Sequence, residues 1–129
     1  MLRYACYRRK SDDDSSLTEK SLGEQQQECK RVEERERLNV MWSKGESKSA
    51  RKAGKRAVYD EMIELIKEGK VDAILCWHVN RLARNMKEGG EIVDLFVNGQ
   101  IKEIRTPSSL HRTGDNILPP VIDSASAAQ

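Results

Sequence analysis

The chain has 129 residues, of which 34% are charged and 37% hydrophobic, and its formal net charge is +2. This length suits one domain with a core of its own, and the composition lies outside the range of disordered chains. Its apolar runs are too short to cross a bilayer, and no secretory signal is visible. We therefore expect a cytoplasmic domain without membrane association.

Three cysteines and two histidines give little scope for metal binding or disulfide pairing. Cys6 and Cys76 lie inside apolar runs, and Cys29 lies on a helix face, so we interpret all three as small core residues in a reducing compartment. They lack paired metal-ligand spacing, and we predict no metal site.

The first predicted strand, Leu2–Tyr7, is followed by an acidic loop at residues 12–20. Ser21 and Glu24 fit a capping box, and the helix that it opens is predicted to run to about Arg37. The apolar face of this helix is predicted to contain Leu22, Cys29 and Val32.

A short strand at Asn39–Trp42 precedes a segment rich in Gly, Ser and Lys, Ser43–Lys55, which predicts a mobile loop. From Arg56 apolar residues recur at helical spacing, and Gly69 is the predicted stop. The residues at this spacing are Val58, Tyr59, Met62, Ile63 and Ile66. Val71–Trp77 is the clearest buried strand of the chain.

A third helix is predicted from Asn85 to Asn98, and a last strand from Ile101 to Thr106. The inward residues of this helix are predicted to be Ile92, Val93, Phe96 and Val97. Residues 115–129 have the pattern of another helix opening, with Asn116 as its cap. Alternating strands and helices favour an α/β fold, a mainly parallel sheet with helices on both faces.

The end of the first strand carries the first chemical signal, the run Tyr7-Arg8-Arg9-Lys10-Ser11. A hydroxyl among fixed cations suits a phosphate site, although a solvated, charged loop is the alternative. Ligands of parallel sheets sit at the carboxyl ends of the strands, where Arg56, Arg81 and Arg84 are also expected. The basic run from Lys48 to Arg56 suits either a solvated loop or contact with a nucleic-acid backbone.

Five segments together resemble one family, and they follow its order and spacing along nearly the whole chain. They are residues 7–11, Ser21-Leu22-Gly23-Glu24-Gln25, Glu46-Ser47-Lys48-Ser49-Ala50, Arg56, and Trp77-His78-Val79-Asn80-Arg81-Leu82-Ala83-Arg84-Asn85. The chain resembles the catalytic domain of serine recombinases, the resolvase and invertase family, most closely its large serine integrase branch.

The resemblance implies a site-specific DNA recombinase in which Ser11 is the nucleophile that becomes joined to a 5′-phosphate. The implied active-site arginines are Arg9, Arg56, Arg81 and Arg84. Candidate supporting residues are Tyr7, Gln25 and Asn80. Candidate contacts to the DNA backbone are Lys48, Arg51, Lys52 and Lys55. Arg8 and Lys10 are expected to be peripheral to this set.

The resemblance further implies double-stranded DNA as partner, a homodimer, and a tetramer in the synaptic complex, with no cofactor. It divides the chain into a catalytic domain at 1–114 and the start of a dimerisation helix at 115–129, cut short at Gln129. Asn80 stands where the family pattern has an aspartate, and an amide cannot act as a base. The alternative is therefore a weakened or inactive relative that serves as a dimerisation or DNA-contact module.

Overall fold

The computed structural model describes residues 1–10, 22–47, 57–78, 82 and 86–113. The strands in this part of the chain are β1 (Arg3–Lys10), β2 (Asn39–Ser47), β3 (Ala73–Cys76), β4 (Glu103–Arg105) and β5 (Leu110–Arg112). The helices are α1 (Leu22–Glu36), α2 (Ala57–Lys67) and α3 (Met86–Val97). The strands form one sheet in the order β2-β1-β3-β4-β5. β1 is parallel to β2 and β3, β3 is parallel to β4, and only β5 runs antiparallel to its neighbour. The predicted α/β class is confirmed.

The sheet has helices on both faces because alternate residues of β1 point to opposite sides. Ala5 and Tyr7 belong to the larger core cluster, which they share with the apolar faces of α2 and α3. Tyr4 and Cys6 belong to the smaller cluster, which is closed by Cys29 of α1 and its neighbours. The strand that leads to the candidate site is therefore buried on both sides.

Helix α2 follows its sequence pattern closely. Tyr59 and Ile66 are buried, as are Met62 and Ile63 between them. The helix ends at Lys67, and Gly69 follows it with a φ of +76°. The Lys70 N–H donates to the Leu65 carbonyl at 2.9 Å and the Gly69 N–H to the Ile66 carbonyl at 3.1 Å, which is a Schellman ending. The predicted glycine stop is confirmed.

The second strand is longer than its sequence indicates. Residues 43–47 were predicted as part of a mobile loop, but they continue β2 as far as Ser47, so that prediction is wrong for these five residues. Each pairs with a residue of β1, from Cys6 opposite Ser43 to Lys10 opposite Ser47. Parallel pairing uses backbone groups, so it needs no hydrophobic pattern in the strand at the edge of the sheet.

In the second half of the chain, one prediction about α3 is wrong and one strand was not predicted. Val97 was predicted to face inward but is 69% exposed, whereas Leu95 is buried. At 100° per residue Val97 lies about 140° around α3 from Ile92, while Leu95 lies about 60° away. The strand β5 was not predicted, because its three residues are too few to show a period.

The remaining sequence predictions fall outside the described residues. These are the acidic loop, the Ser21 cap, the basic run after Ser47, and the helix expected near Asn116. Among the described residues, no helix is long and apolar enough to cross a membrane. The same residues contain no group of His, Cys, Asp and Glu side chains arranged to hold a metal ion.

Candidate active site

The carboxyl end of β1 extends beyond its neighbour β3. Pairing with β3 ends where Tyr7 faces Cys76, whereas pairing with β2 continues to Lys10. In the described part of the chain, the last three residues of β1, which include Arg9, therefore pair with β2 alone. Backbone groups that turn to the other side need partners from elsewhere.

Gln25 of α1 supplies those partners for Arg9. Its Oε1 accepts a hydrogen bond from the Arg9 N–H at 3.3 Å, and its Nε2 donates to the Arg9 carbonyl at 3.1 Å. The Gln25 side chain is fully buried. A primary amide offers a donor and an acceptor side by side, so this pair of bonds imitates one residue of an added strand. Gln25 thus fixes the backbone of Arg9 at the end of the sheet.

Tyr7 packs on the α2 and α3 side of the same strand end. Its ring meets the Tyr59 ring edge-on, with centroids 6.3 Å apart and planes at 70°. Tyr59 lies in the first turn of α2, three residues after Arg56 in the sequence. Its hydroxyl donates to Glu91 Oε1 on α3 at 2.9 Å. Because side chains alternate along a strand, Arg9 continues the face on which Tyr7 lies.

Arg8 lies on the opposite face and is almost completely buried. Its Nη1 donates to Ser43 Oγ at 2.7 Å and contacts Cys6 Sγ at 3.3 Å. A hydrogen bond from Cys29, aided by the Arg8 charge, lowers the pKa of Cys6 to about 7 from its ordinary 9.0. The solvated-loop alternative is therefore wrong for Tyr7 and Arg8, since both are part of the core.

The other two cysteines hold their protons more tightly. The hydrogen bond to Cys6, together with burial, raises the pKa of Cys29, and burial raises the pKa of Cys76. All three cysteines are free and buried, which confirms their interpretation as core residues. His78 follows β3, is exposed, and has its ring centroid 6.1 Å from that of Trp77.

The structure brings together three of the predicted site residues, Tyr7, Arg9 and Gln25. The other predicted site residues lie outside the described part of the chain; they are Ser11, Lys48, Arg51, Lys52, Lys55, Arg56, Asn80, Arg81 and Arg84. Two contributors were not predicted from the sequence: Tyr59, which packs on Tyr7, and Glu91, which binds the Tyr59 hydroxyl. Tyr59 was assigned only to an apolar helix face, and nothing in the sequence pattern connects Glu91 with it.

The sheet is open and mainly parallel, and Arg9 lies at the carboxyl end of its strand β1. This arrangement is typical of an α/β domain that binds an anionic ligand at that edge of the sheet. The sequence model of the family described as "Resolvase, N terminal domain" matches residues 4–113. The chain belongs to this family, and its class is that of a site-specific recombinase catalytic domain.

Comparison with solved structures agrees on the fold. The chain is similar to the N-terminal catalytic domain of TP901-1 integrase, with 18% sequence identity and a TM-score of 0.66. The match covers 97% of this chain and 92% of that domain. At this identity the likeness shows a shared fold. A comparison with curated proteins finds no match.

Proposed function

We propose that this domain breaks and rejoins DNA strands through a covalent phosphoserine intermediate formed by Ser11. The Ser11 Oγ attacks a backbone phosphorus, so that an Oγ–P bond forms while the P–O3′ bond breaks. The Ser11 proton is released, and the departing O3′ takes up a proton to become a free hydroxyl. Rejoining reverses these steps with a 3′ hydroxyl of the exchanged strand, so no external energy source is consumed.

Four arginines stabilise the transition state in this proposal: Arg9, Arg56, Arg81 and Arg84. A pentacoordinate phosphorus carries more negative charge than the diester, so fixed guanidinium groups favour it over the ground state. A hydrogen bond to a charged group contributes about 1.5–3 kcal/mol, so four arginines together supply on the order of 10 kcal/mol if they add. Enzymes typically provide ~8–23 kcal/mol, so this is a substantial share.

The double hydrogen bond between Gln25 and the Arg9 peptide carries the proposal. In a chain of the resolvase family, it holds the residue two positions before the proposed nucleophile at a strand end that β3 does not reach. Tyr7, buried against Tyr59, holds the same strand from its other face. Such support is what a preorganised electrostatic site requires, because the charges must not reorient during the reaction.

The partner in this proposal is double-stranded DNA. Lys48, Arg51, Lys52 and Lys55 bind its backbone phosphates, which makes the affinity dependent on salt. The domain at 1–114 acts as a homodimer joined through the helix that starts in 115–129, and two dimers form a tetramer around the paired sites. No metal or cofactor takes part in the proposed steps.

The test is a trapping experiment. The chain is fused to a DNA-binding domain of known target, and incubated with duplexes that carry two inverted targets around a randomised central segment. A covalent protein–DNA adduct is measured on denaturing gels, and the linked residue is identified by mass spectrometry. We expect an adduct at Ser11 that disappears in Ser11→Ala and persists in the matched control Ser15→Ala.

The comparison with Asn80→Asp separates this proposal from its alternative. An adduct that survives Ser11→Ala shows that the nucleophile is assigned wrongly. An adduct that forms only in Asn80→Asp supports a weakened relative that lacks the carboxylate. No adduct in either chain supports a non-catalytic module for dimerisation or DNA contact.

A further inference from the structure

One carboxylate, that of Glu91 in α3, binds α2 at two points. Its Oε1 accepts the hydrogen bond from the Tyr59 hydroxyl at 2.9 Å, and its Oε2 lies 3.4 Å from Lys67 Nζ. Tyr59 and Lys67 are eight residues apart, about 12 Å along the helix axis at 1.5 Å per residue. Both side chains therefore connect α2 to the same carboxylate of α3, one from each end of α2.

The two contacts differ in their surroundings. Tyr59 is only 2% exposed, and a buried tyrosine hydroxyl needs an acceptor, since an unsatisfied one is costly. The side chains of Lys67 and Glu91 are 48% and 36% exposed, so their ion pair is screened by water and contributes little. The hydrogen bond to Tyr59 is therefore the contact that matters for the position of α2.

Tyr59 connects the position of α2 to the end of β1. Its ring lies edge-on against Tyr7, which is fully buried two residues before Arg9. α2 itself starts at Ala57, directly after Arg56 in the sequence. A shift of the Tyr59 ring would thus reach β1 through packing and the start of α2 through the backbone, because close-packed interiors transmit displacement.

We propose that Glu91 is a positioning residue for strand cleavage, which acts through Tyr59 on Tyr7 and on the start of α2. This inference rests on the proposed function, because the groups it positions are Arg9, Ser11 and Arg56. Glu91 itself does not contact DNA in this scheme. Its removal should lower the rate of the chemical step and leave DNA affinity unchanged.

The experiment uses the same fused chain and duplexes as the trapping assay. The adduct is followed over time at increasing DNA concentration, which separates the rate constant at saturation from the half-saturating concentration. We expect Glu91→Ala and Tyr59→Phe each to lower the saturated rate about tenfold or more, since small misplacements of catalytic groups have such effects. Glu91→Gln retains an acceptor for the Tyr59 hydroxyl and should recover most of the rate.

Two comparisons show whether the effect passes through the tyrosine. The matched control Asp94→Ala removes an exposed acid one turn along α3 and should leave the rate unchanged. The double variant of Glu91→Ala and Tyr59→Phe should be no slower than the slower single variant, because both remove the same hydrogen bond. Rates that multiply in the double variant would contradict the route through Tyr59.

The outcomes distinguish this inference from the proposed function. A Ser11-dependent adduct that forms at the normal rate in Glu91→Ala overturns the role of Glu91 and leaves the function standing. A change confined to the half-saturating DNA concentration also overturns it. If no chain forms an adduct, the proposed function fails. NMR of fluorotyrosine-labelled protein then tests only whether Glu91 positions Tyr7 through Tyr59. The Tyr7 resonance should then shift in Glu91→Ala and not in Asp94→Ala, and an unshifted resonance refutes the inference.

Discussion

Replacing Gln25 with alanine tests the support of the strand end directly. The substitution removes both hydrogen bonds to the Arg9 peptide, at 3.1 and 3.3 Å, and leaves a space where a fully buried side chain stood. Each buried backbone group that loses its partner costs about 1–3 kcal/mol. Because the Arg9 side chain is only half-buried, water can reach part of this region, so we expect the lower part of the range for each bond. The free energy of unfolding should fall by about 2–4 kcal/mol, a large part of the ~5–15 kcal/mol typical of a domain.

Urea denaturation measures this loss, and the chain contains its own control. Gln26 has the same side chain on the same helix but is exposed, so Gln26→Ala should change the free energy of unfolding by no more than about 0.5 kcal/mol. Gln25→Glu keeps the shape but presents no donor to the Arg9 carbonyl when ionised, and should destabilise at neutral pH as well. Equal midpoints for Gln25→Ala and Gln26→Ala, at equal denaturant slopes, would show that the two bonds do not hold the strand end.

Two other predictions concern stability. The native pKa of Cys6, about 7, lies below its ordinary 9.0, so the unfolded chain binds more protons between these values and stability rises with pH from 7 to 9. The raised pKa values of Cys29 and Cys76 oppose this rise as the pH approaches 9, so the net gain should be on the order of 1 kcal/mol. The gain should be lost as the pH falls through 7, and Cys6→Ser should abolish or reverse it when urea unfolding is compared at pH 7, 8 and 9. Gly69→Ala should destabilise the protein by about 1 kcal/mol, because φ at this residue is +76°. Gly90→Ala should stabilise it by about 0.5–1 kcal/mol, because Gly90 is exposed in the middle of α3 and has open space around it. Thermal unfolding of the two glycine variants checks the opposite signs, and shifts in the same direction would contradict the backbone argument.

The sequence predicts the buried elements of this fold better than its edges. Helix α2 has apolar residues at every position that the core requires and a glycine at its end, so its bounds follow from local chemistry. The extension of β2 to Ser47 does not, because residues 43–47 are held by backbone pairing to a partner strand distant in the sequence. Val97 shows a third case, in which an apolar residue lies outside the buried arc of its helix.

The residues of the candidate site also differ in how far the sequence predicts them. Arg9 was placed at the end of a parallel strand by the order of the elements alone. Gln25 was predicted as a site residue from the family resemblance. Its spacing also predicts burial, because it precedes Cys29 by four residues and Val32 by seven and so lies on the buried face of α1. A glutamine on that face requires hydrogen-bond partners, and the sequence cannot say which. Glu91 gives no such signal, since its partners come from another helix.

Gln25, Arg8 and Glu91 act on the end of β1 by different routes, and their losses should have different effects. Gln25 binds the Arg9 backbone itself, so its loss should affect both stability and strand cleavage. Arg8 bonds across to Ser43 on the α1 face, away from the Tyr7 side, and its loss should affect stability more than cleavage. Glu91 acts through Tyr59, and its loss removes the acceptor of a buried hydroxyl, so it should lower stability as well as the rate of cleavage. These expectations follow from geometry. Among the described residues β3 pairs with β1 only as far as Cys76, so the placement of the proposed catalytic groups beyond that point depends on side chains from α1, α2 and α3.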